Sequence, residues 1–143
     1  MSVGRSNLVD PRAASLDTFY AAKDSARVLS LAADMVSNSA PGDMNWTVGK
    51  LYEGIALLSQ TPPKPNQAAI ILDSLIAFDF TNKPGRDHYI LGAVKWRIYA
   101  ARLSGDTQRG PLLVQWVQSQ DFRADLKTDF LKTYLPSPTA PTQ

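Results

Sequence analysis

The stretch HYILGAVKWRIYAARL, residues His88–Leu103, decides how this chain is read. It mixes the only histidine with one Trp, two Tyr, one Lys and two Arg. An α-helix turns about 100° per residue. Placed on that wheel, Ile90, Leu91, Val94, Ile98 and Ala101 form one apolar stripe. Tyr89, Ala93, Trp96, Ala100 and Leu103 form a second. A helix with apolar stripes on two sides packs between two neighbours. The stretch is therefore expected to be a central helix of a helical core.

One narrow polar edge separates the stripes: His88, Gly92, Lys95, Tyr99 and Arg102. Phosphate contact and base stacking use such cations and rings, but three charges or rings over four turns are sparse for a nucleic-acid reading helix. On the wheel Trp96, the best stacking residue, faces another side. Arg97 stands opposite the edge. It is expected to snorkel outward or to pair with Asp73 or Asp79 of the preceding helix, a contact worth more in specificity than in stability.

The same periodicity continues outward along the chain. Phe19, Ala22, Ala26, Leu29, Ala33 and Val36 predict one helix beginning near Ser15 and ending at NSAPG, residues 38–42. Met44, Val48, Leu51, Ile55 and Leu58 predict the next, with Asp43 as its cap. Within it Gly49 and Gly54 lower helix propensity by about 1 kcal/mol each, so both are read as sites of close helix approach. TPPKP, residues 61–65, breaks the chain. Pro65 or Asn66 opens a third helix, in which Ala68, Ala69, Ile71, Leu72, Leu75, Ile76 and Phe78 leave little polar surface, so it is expected at the centre. Ser104-Gly105 ends the His88–Leu103 helix, Pro111 suits the start of another, and Phe122, Leu126, Phe130 and Tyr134 mark a last one. No stretch alternates with period two long enough to be a strand. The expected fold is all-α: a compact single-domain bundle of five to six helices joined by short Pro/Gly loops. Residues 1–14 read as an N-terminal arm, 15–135 as the helical domain, and 136–143 as a disordered, Pro-rich tail.

Composition excludes several chemistries. The 143 residues suit one domain. The chain has no cysteine, so thiol catalysis and Cys-ligated metals are ruled out. One histidine cannot build a His-rich metal site. The longest apolar run, Ala68–Phe78, is interrupted by Asp73 and Ser74 and falls short of the roughly 20 residues a bilayer requires. The N-terminal residues lack the apolar core of a signal peptide. A soluble, intracellular protein with no membrane contact is the expectation. The net charge is +2, and the excess sits in residues 84–103, where Arg86, Lys95, Arg97 and Arg102 face only Asp87. Twelve of the thirteen acids are Asp; Asp favours caps and turns, so fewer of them are read as catalytic.

Catalytic motifs are missing. There is no G-x-S-x-G elbow for a Ser-His-Asp site, and His88 is expected to be a surface or capping residue. GDMNWTVGK, residues 42–50, fails the phosphate-loop spacing and ends without Ser or Thr. Asp121, Asp125 and Asp129 could place three carboxylates on one helix face for a hard cation; the reading preferred is a solvated face with Lys132 near Asp129. No catalytic residue, metal or cofactor is assigned. The expectation is a non-enzymatic protein-interaction or assembly module within a larger complex. Its partner would be a protein, homo-oligomers being allowed. An RNA- or DNA-binding accessory protein is the alternative, and an enzyme with an unrecognised site ranks third. The candidate binding residues are His88, Lys95, Tyr99, Arg102 and Arg86. Trp46 and Trp116, near helix starts, are candidate interface anchors.

Overall fold

The computed structural model describes residues 11–134. They form seven α-helices and no strand: α1 (Ala13–Ala21), α2 (Ser25–Ser37), α3 (Met44–Leu58), α4 (Pro65–Ile76), α5 (Asp87–Ser104), α6 (Arg109–Ser119) and α7 (Ala124–Tyr134). The all-α expectation holds, with seven helices instead of five or six. Most of the expected N-terminal arm and the whole of 136–143 lie outside the described residues. Within that arm, α1 already begins at Ala13, and the Arg12 guanidinium pairs with Asp34 of α2 at 2.9 Å.

The extra helix comes from a break in the segment expected to be one helix from Ser15 to Val36. Lys23 is left-handed, with φ 59°. The Asp24 carboxylate then accepts the N–H of Arg27 at 3.2 Å and caps a fresh start. The break resets the helical phase. Val28, Ala32 and Met35 are buried, while Ala22 and Ala26 of the expected stripe are exposed. Apolar spacing does not register the change, because Leu29, Ala33 and Val36 continue the spacing of Phe19, Ala22 and Ala26 across the break, one residue out of step with the buried Val28, Ala32 and Met35.

Two helices carry the architecture. α3 packs against α1, α2, α4 and α5, and α5 packs against α3, α4, α6 and α7. The core accordingly has three joined parts. One lies among α1, α2 and α3 around Leu16, Val28 and Val48. A second lies among α3, α4 and α5 around Leu51, Leu72 and Ala93. The third lies among α5, α6 and α7 around Val94, Val117 and Phe130. The two stripes of α5 divide as the wheel requires: Ala93 and Ala100 face the second part, and Leu91, Val94 and Ile98 the third. α4 is not central. Among the described helices its backbone comes close to α3 and α5 alone, it buries Ala68, Leu72 and Leu75, and Ile70 stays 73% exposed.

Close approach explains the glycines of α3. A methyl group at Gly49 would lie 2.9 Å from the Ala32 carbonyl oxygen and 2.8 Å from Val36 Cγ2. One at Gly54 would lie 2.5 Å from a methyl of Leu72. The helix-propensity cost of each glycine is thus offset by the packing of α2 and α4 directly on α3.

Helix ends are fixed by local chemistry. Pro65 occupies the first turn of α4, where its missing N–H costs nothing. Gly105 ends α5 at φ 78°, with the N–H of Asp106 reaching back to the Ala101 carbonyl at 2.9 Å, the geometry of a Schellman close. The Asp106 carboxylate then accepts the N–H groups of Gln108 and Arg109 at 3.0 and 3.1 Å and starts α6. These two bonds hold its pKa below the ordinary aspartate value. Asp125 is pulled down to about 2, chiefly by its hydrogen bonds from the Arg123 guanidinium. Asp79 is lowered by the hydroxyl and N–H of Thr81.

A carboxylate with a depressed folded pKa contributes stability that is present above its unfolded pKa. That stability is lost as pH falls through the folded value. Thermal unfolding followed by circular dichroism is therefore expected to show Tm falling between about pH 4 and about pH 2. Asp125→Asn should remove part of that fall. An identical pH profile in the variant would take the Arg123–Asp125 pair out of the account.

Candidate binding groove on the edge of helix α5

The exposed edge of α5 is the surface of a shallow hollow of about 550 Å³. Lys95, Trp96, Tyr99 and Arg102 come from α5, Leu58 and Ser59 from the end of α3, and Tyr134 from the end of α7. Lys95, Tyr99 and Arg102 project outward because Ala93 and Ala100 on one side, and Val94 and Ile98 on the other, hold the helix by its two buried stripes. Lys95 and Arg102 stand two turns apart, about 10 Å along the axis. Tyr99 lies between them and is 42% exposed.

Trp96 belongs to this hollow as well. Its ring meets that of Tyr99 edge-on, with centroids 5.8 Å apart and an interplanar angle of 88°. The wheel put it on another side, but an indole is wide enough to show its flank at the edge while the rest packs inward. The ring is half-buried, so its full face is not offered to a stacking base. Tyr134 supplies a third ring. Burial raises its phenol pKa, with the Arg102 charge opposing, so the hydroxyl stays protonated at neutral pH and can donate a hydrogen bond.

Charge on the groove is of one sign. Among the described residues no acidic one lines it. Among the described residues neither Lys95 nor Arg102 has an ion-pair partner. Arg97 behaves otherwise. Its side chain is buried and its Nε lies 2.9 Å from Asp73 Oδ1 on α4, so of the two acids expected as partners Asp73 is the one engaged. A second hollow of about 580 Å³ opens between α5, α6 and α7. Arg102 and Tyr134 line both hollows and stand at their junction.

The other candidate residues are not brought to this groove. His88 is exposed at the start of α5 with its ring edge-on to Tyr89, centroids 5.4 Å apart. Arg86 was expected at the binding surface and is buried, with 1% exposure. Its guanidinium donates to the Pro84 carbonyl at 2.6 Å and to the Gly42 carbonyl at 3.0 Å, tying the loop before α3 to the loop before α5. It is a structural residue, and Arg86→Met is expected to cost about 3 kcal/mol because two loop carbonyls lose their donor. Urea unfolding measures this; a change under about 0.5 kcal/mol would mean that solvent already serves those carbonyls.

Trp46 was also expected near the surface and is 7% exposed. Phe78 and Phe80, from the loop after α4, close over it with centroids 5.0 and 6.4 Å away. Trp116 is half-buried, edge-on to Phe122 at 5.7 Å, in a separate cleft. Asp121 precedes α7 instead of lying on it, and Asp125 is held in place by Arg123. Among the described residues no group of His, Cys, Asp and Glu is arranged to hold a metal ion. No helix among them is long and apolar enough to cross a membrane.

Sequence reasoning missed Leu58, Ser59 and Tyr134. None has a local signature of a site, since each joins the groove only through the packing of α3 and α7 beside α5. Comparison with protein-family models, curated proteins and solved structures gives no match for this chain. Among the described residues, fold and surface define an all-helical protein with a ring-lined, cationic groove on the edge of α5.

Proposed function

We propose that this protein is a non-enzymatic docking module that grips a protein partner through the groove of α5, as part of a larger assembly. One observation carries the reading: Lys95 and Arg102, without ion-pair partners among the described residues, flank a floor made of Trp96, Tyr99 and Tyr134. Aromatic residues and Arg at the centre of a patch supply most of the energy of protein interfaces. Cations at its margin choose the partner by charge. The partner segment that fits carries carboxylates about two helical turns apart and an apolar side chain between them.

A photo-crosslinking residue at position 99 is expected to trap a protein that the same residue at Ser30, on α2, does not. Lys95→Glu with Arg102→Glu should weaken that capture about 10-fold or more and leave Tm nearly unchanged, since both side chains are exposed. Equal trapping from both positions would refute the reading.

The two unpaired cations beside exposed Tyr99 also support a second reading, single-stranded nucleic acid. Two charges give only a shallow salt dependence, and Trp96 offers no free face. Labelled single-stranded RNA is expected to bind no tighter than the millimolar range at low salt. Micromolar binding that falls steeply with salt would replace the protein-partner reading with this one.

A further inference from the structure

At the N-terminal end of α5 lies a cleft of about 370 Å³ with the opposite character. Phe80, Trp116 and Phe122 give it aromatic walls, and Asp79, Asp87 and Asp121 line it with carboxylates; among the described residues no Lys or Arg does. Asp79 accepts two hydrogen bonds from Thr81, and Asp87 accepts the N–H of Arg123 at 2.7 Å. A carboxylate has about four acceptor sites, so both retain capacity. Among the described residues none of the three forms an ion pair.

We propose that the protein self-associates head to tail, the cationic groove of α5 in one copy seating on the acidic aromatic cleft of the next. This rests on the reading of the groove as a protein-binding surface and names its partner, a second copy of this chain. The argument is charge and chemical complementarity. The groove presents two cations around rings, the cleft presents three carboxylates around rings, and the two share no residue. Cations over aromatic faces and beside carboxylates gain on both counts. Neither surface can pair with its own copy, because that would bring like charges together. Contact of either patch with itself is therefore disfavoured, and groove-to-cleft contact remains, closed as a reciprocal two-fold pair or continued as a ring or open chain.

The test is sedimentation velocity of the full chain across concentration and salt, with an edge variant (Lys95→Glu, Arg102→Glu) and a cleft variant (Asp79→Asn, Asp121→Lys). The wild type is expected to grow in mass with concentration at low salt. Its apparent affinity should fall about 10-fold or more between about 50 mM and about 500 mM salt. Each variant alone should be monomeric, and an equimolar mixture of the two should associate again, since the intact cleft of the edge variant meets the intact groove of the cleft variant. If the Asp79 change loosens its turn, Asp121→Arg alone serves, on an exposed residue with no hydrogen bond among the described residues.

A wild type that stays monomeric into the millimolar range overturns the proposal. So does association that either variant leaves intact, or variants that do not complement each other. Those outcomes leave the groove's role with other proteins standing, because that is read separately from crosslinking at position 99.

Discussion

Trp46→Ala is expected to lower the unfolding free energy by about 3–5 kcal/mol, a large part of the roughly 5–15 kcal/mol that holds a domain of this size. The indole joins α3 to the loop after α4: Phe78 and Phe80 pack on it, and the Lys50 ammonium sits 5.6 Å from its ring centre. Truncation removes the largest side chain of that cluster and leaves a cavity that two rings on a loop can only partly fill. Urea unfolding followed by circular dichroism gives the number from the shift in midpoint at constant slope. A loss under about 1 kcal/mol would mean that the side chain is solvated in the folded protein. Trp116→Ala is the control; that ring is half-buried and its loss should cost clearly less.

Gly49→Val is expected to cost about 3 kcal/mol, the upper part of the usual range for an overpacked core. The first added carbon would meet the Ala32 carbonyl oxygen at 2.9 Å. A backbone atom cannot turn aside as a side chain can, so α2 and α3 would have to separate along their shared face. Gly54→Ala is milder, because its obstacle is the Leu72 side chain, which can adopt another rotamer, and because Ala gains about 1 kcal/mol of helix propensity. Midpoints of thermal unfolding rank the two. An unchanged or raised midpoint for Gly49→Val would show that the helices do not meet there.

Both glycines illustrate what could be read early. Two glycines inside a strong apolar period are costly unless something packs on them, so the close approach follows from the sequence alone. Which helix approaches does not. The same holds for Arg97: a cation between two packed stripes requires an acid or an escape to water, and two acids of the preceding helix were in reach by spacing. The pairing of α4 with α5 selected Asp73.

The candidate groove was legible in part. Lys95, Tyr99 and Arg102 share an edge because a helix repeats every 3.6 residues, and that edge is exposed as the period requires. Arg86 could not be placed in this way, because it lies one residue before α5 and its direction depends on two loops. Trp46 lies on α3, but its burial depends on Phe78 and Phe80, more than thirty residues away in sequence.

By itself the sequence determined the helical class, the helix stops at Pro and Gly, the two packed sides of α5 and the cationic edge between them. Each follows from interactions within a turn or two of chain: propensity, capping and apolar period. The tertiary structure alone decided that α3 and not α4 is the central partner of α5, that Lys23 splits the first helix, that Arg86 and Trp46 turn inward, and that Trp96 and Tyr134 complete a groove with the edge of α5. These depend on contacts between residues far apart in the chain, whose closeness results from the packing of whole helices and leaves no periodic trace in the order of the amino acids. HYILGAVKWRIYAARL thus carries its own helix and its own edge, while the floor of the groove beneath that edge is supplied in part by α3 and α7.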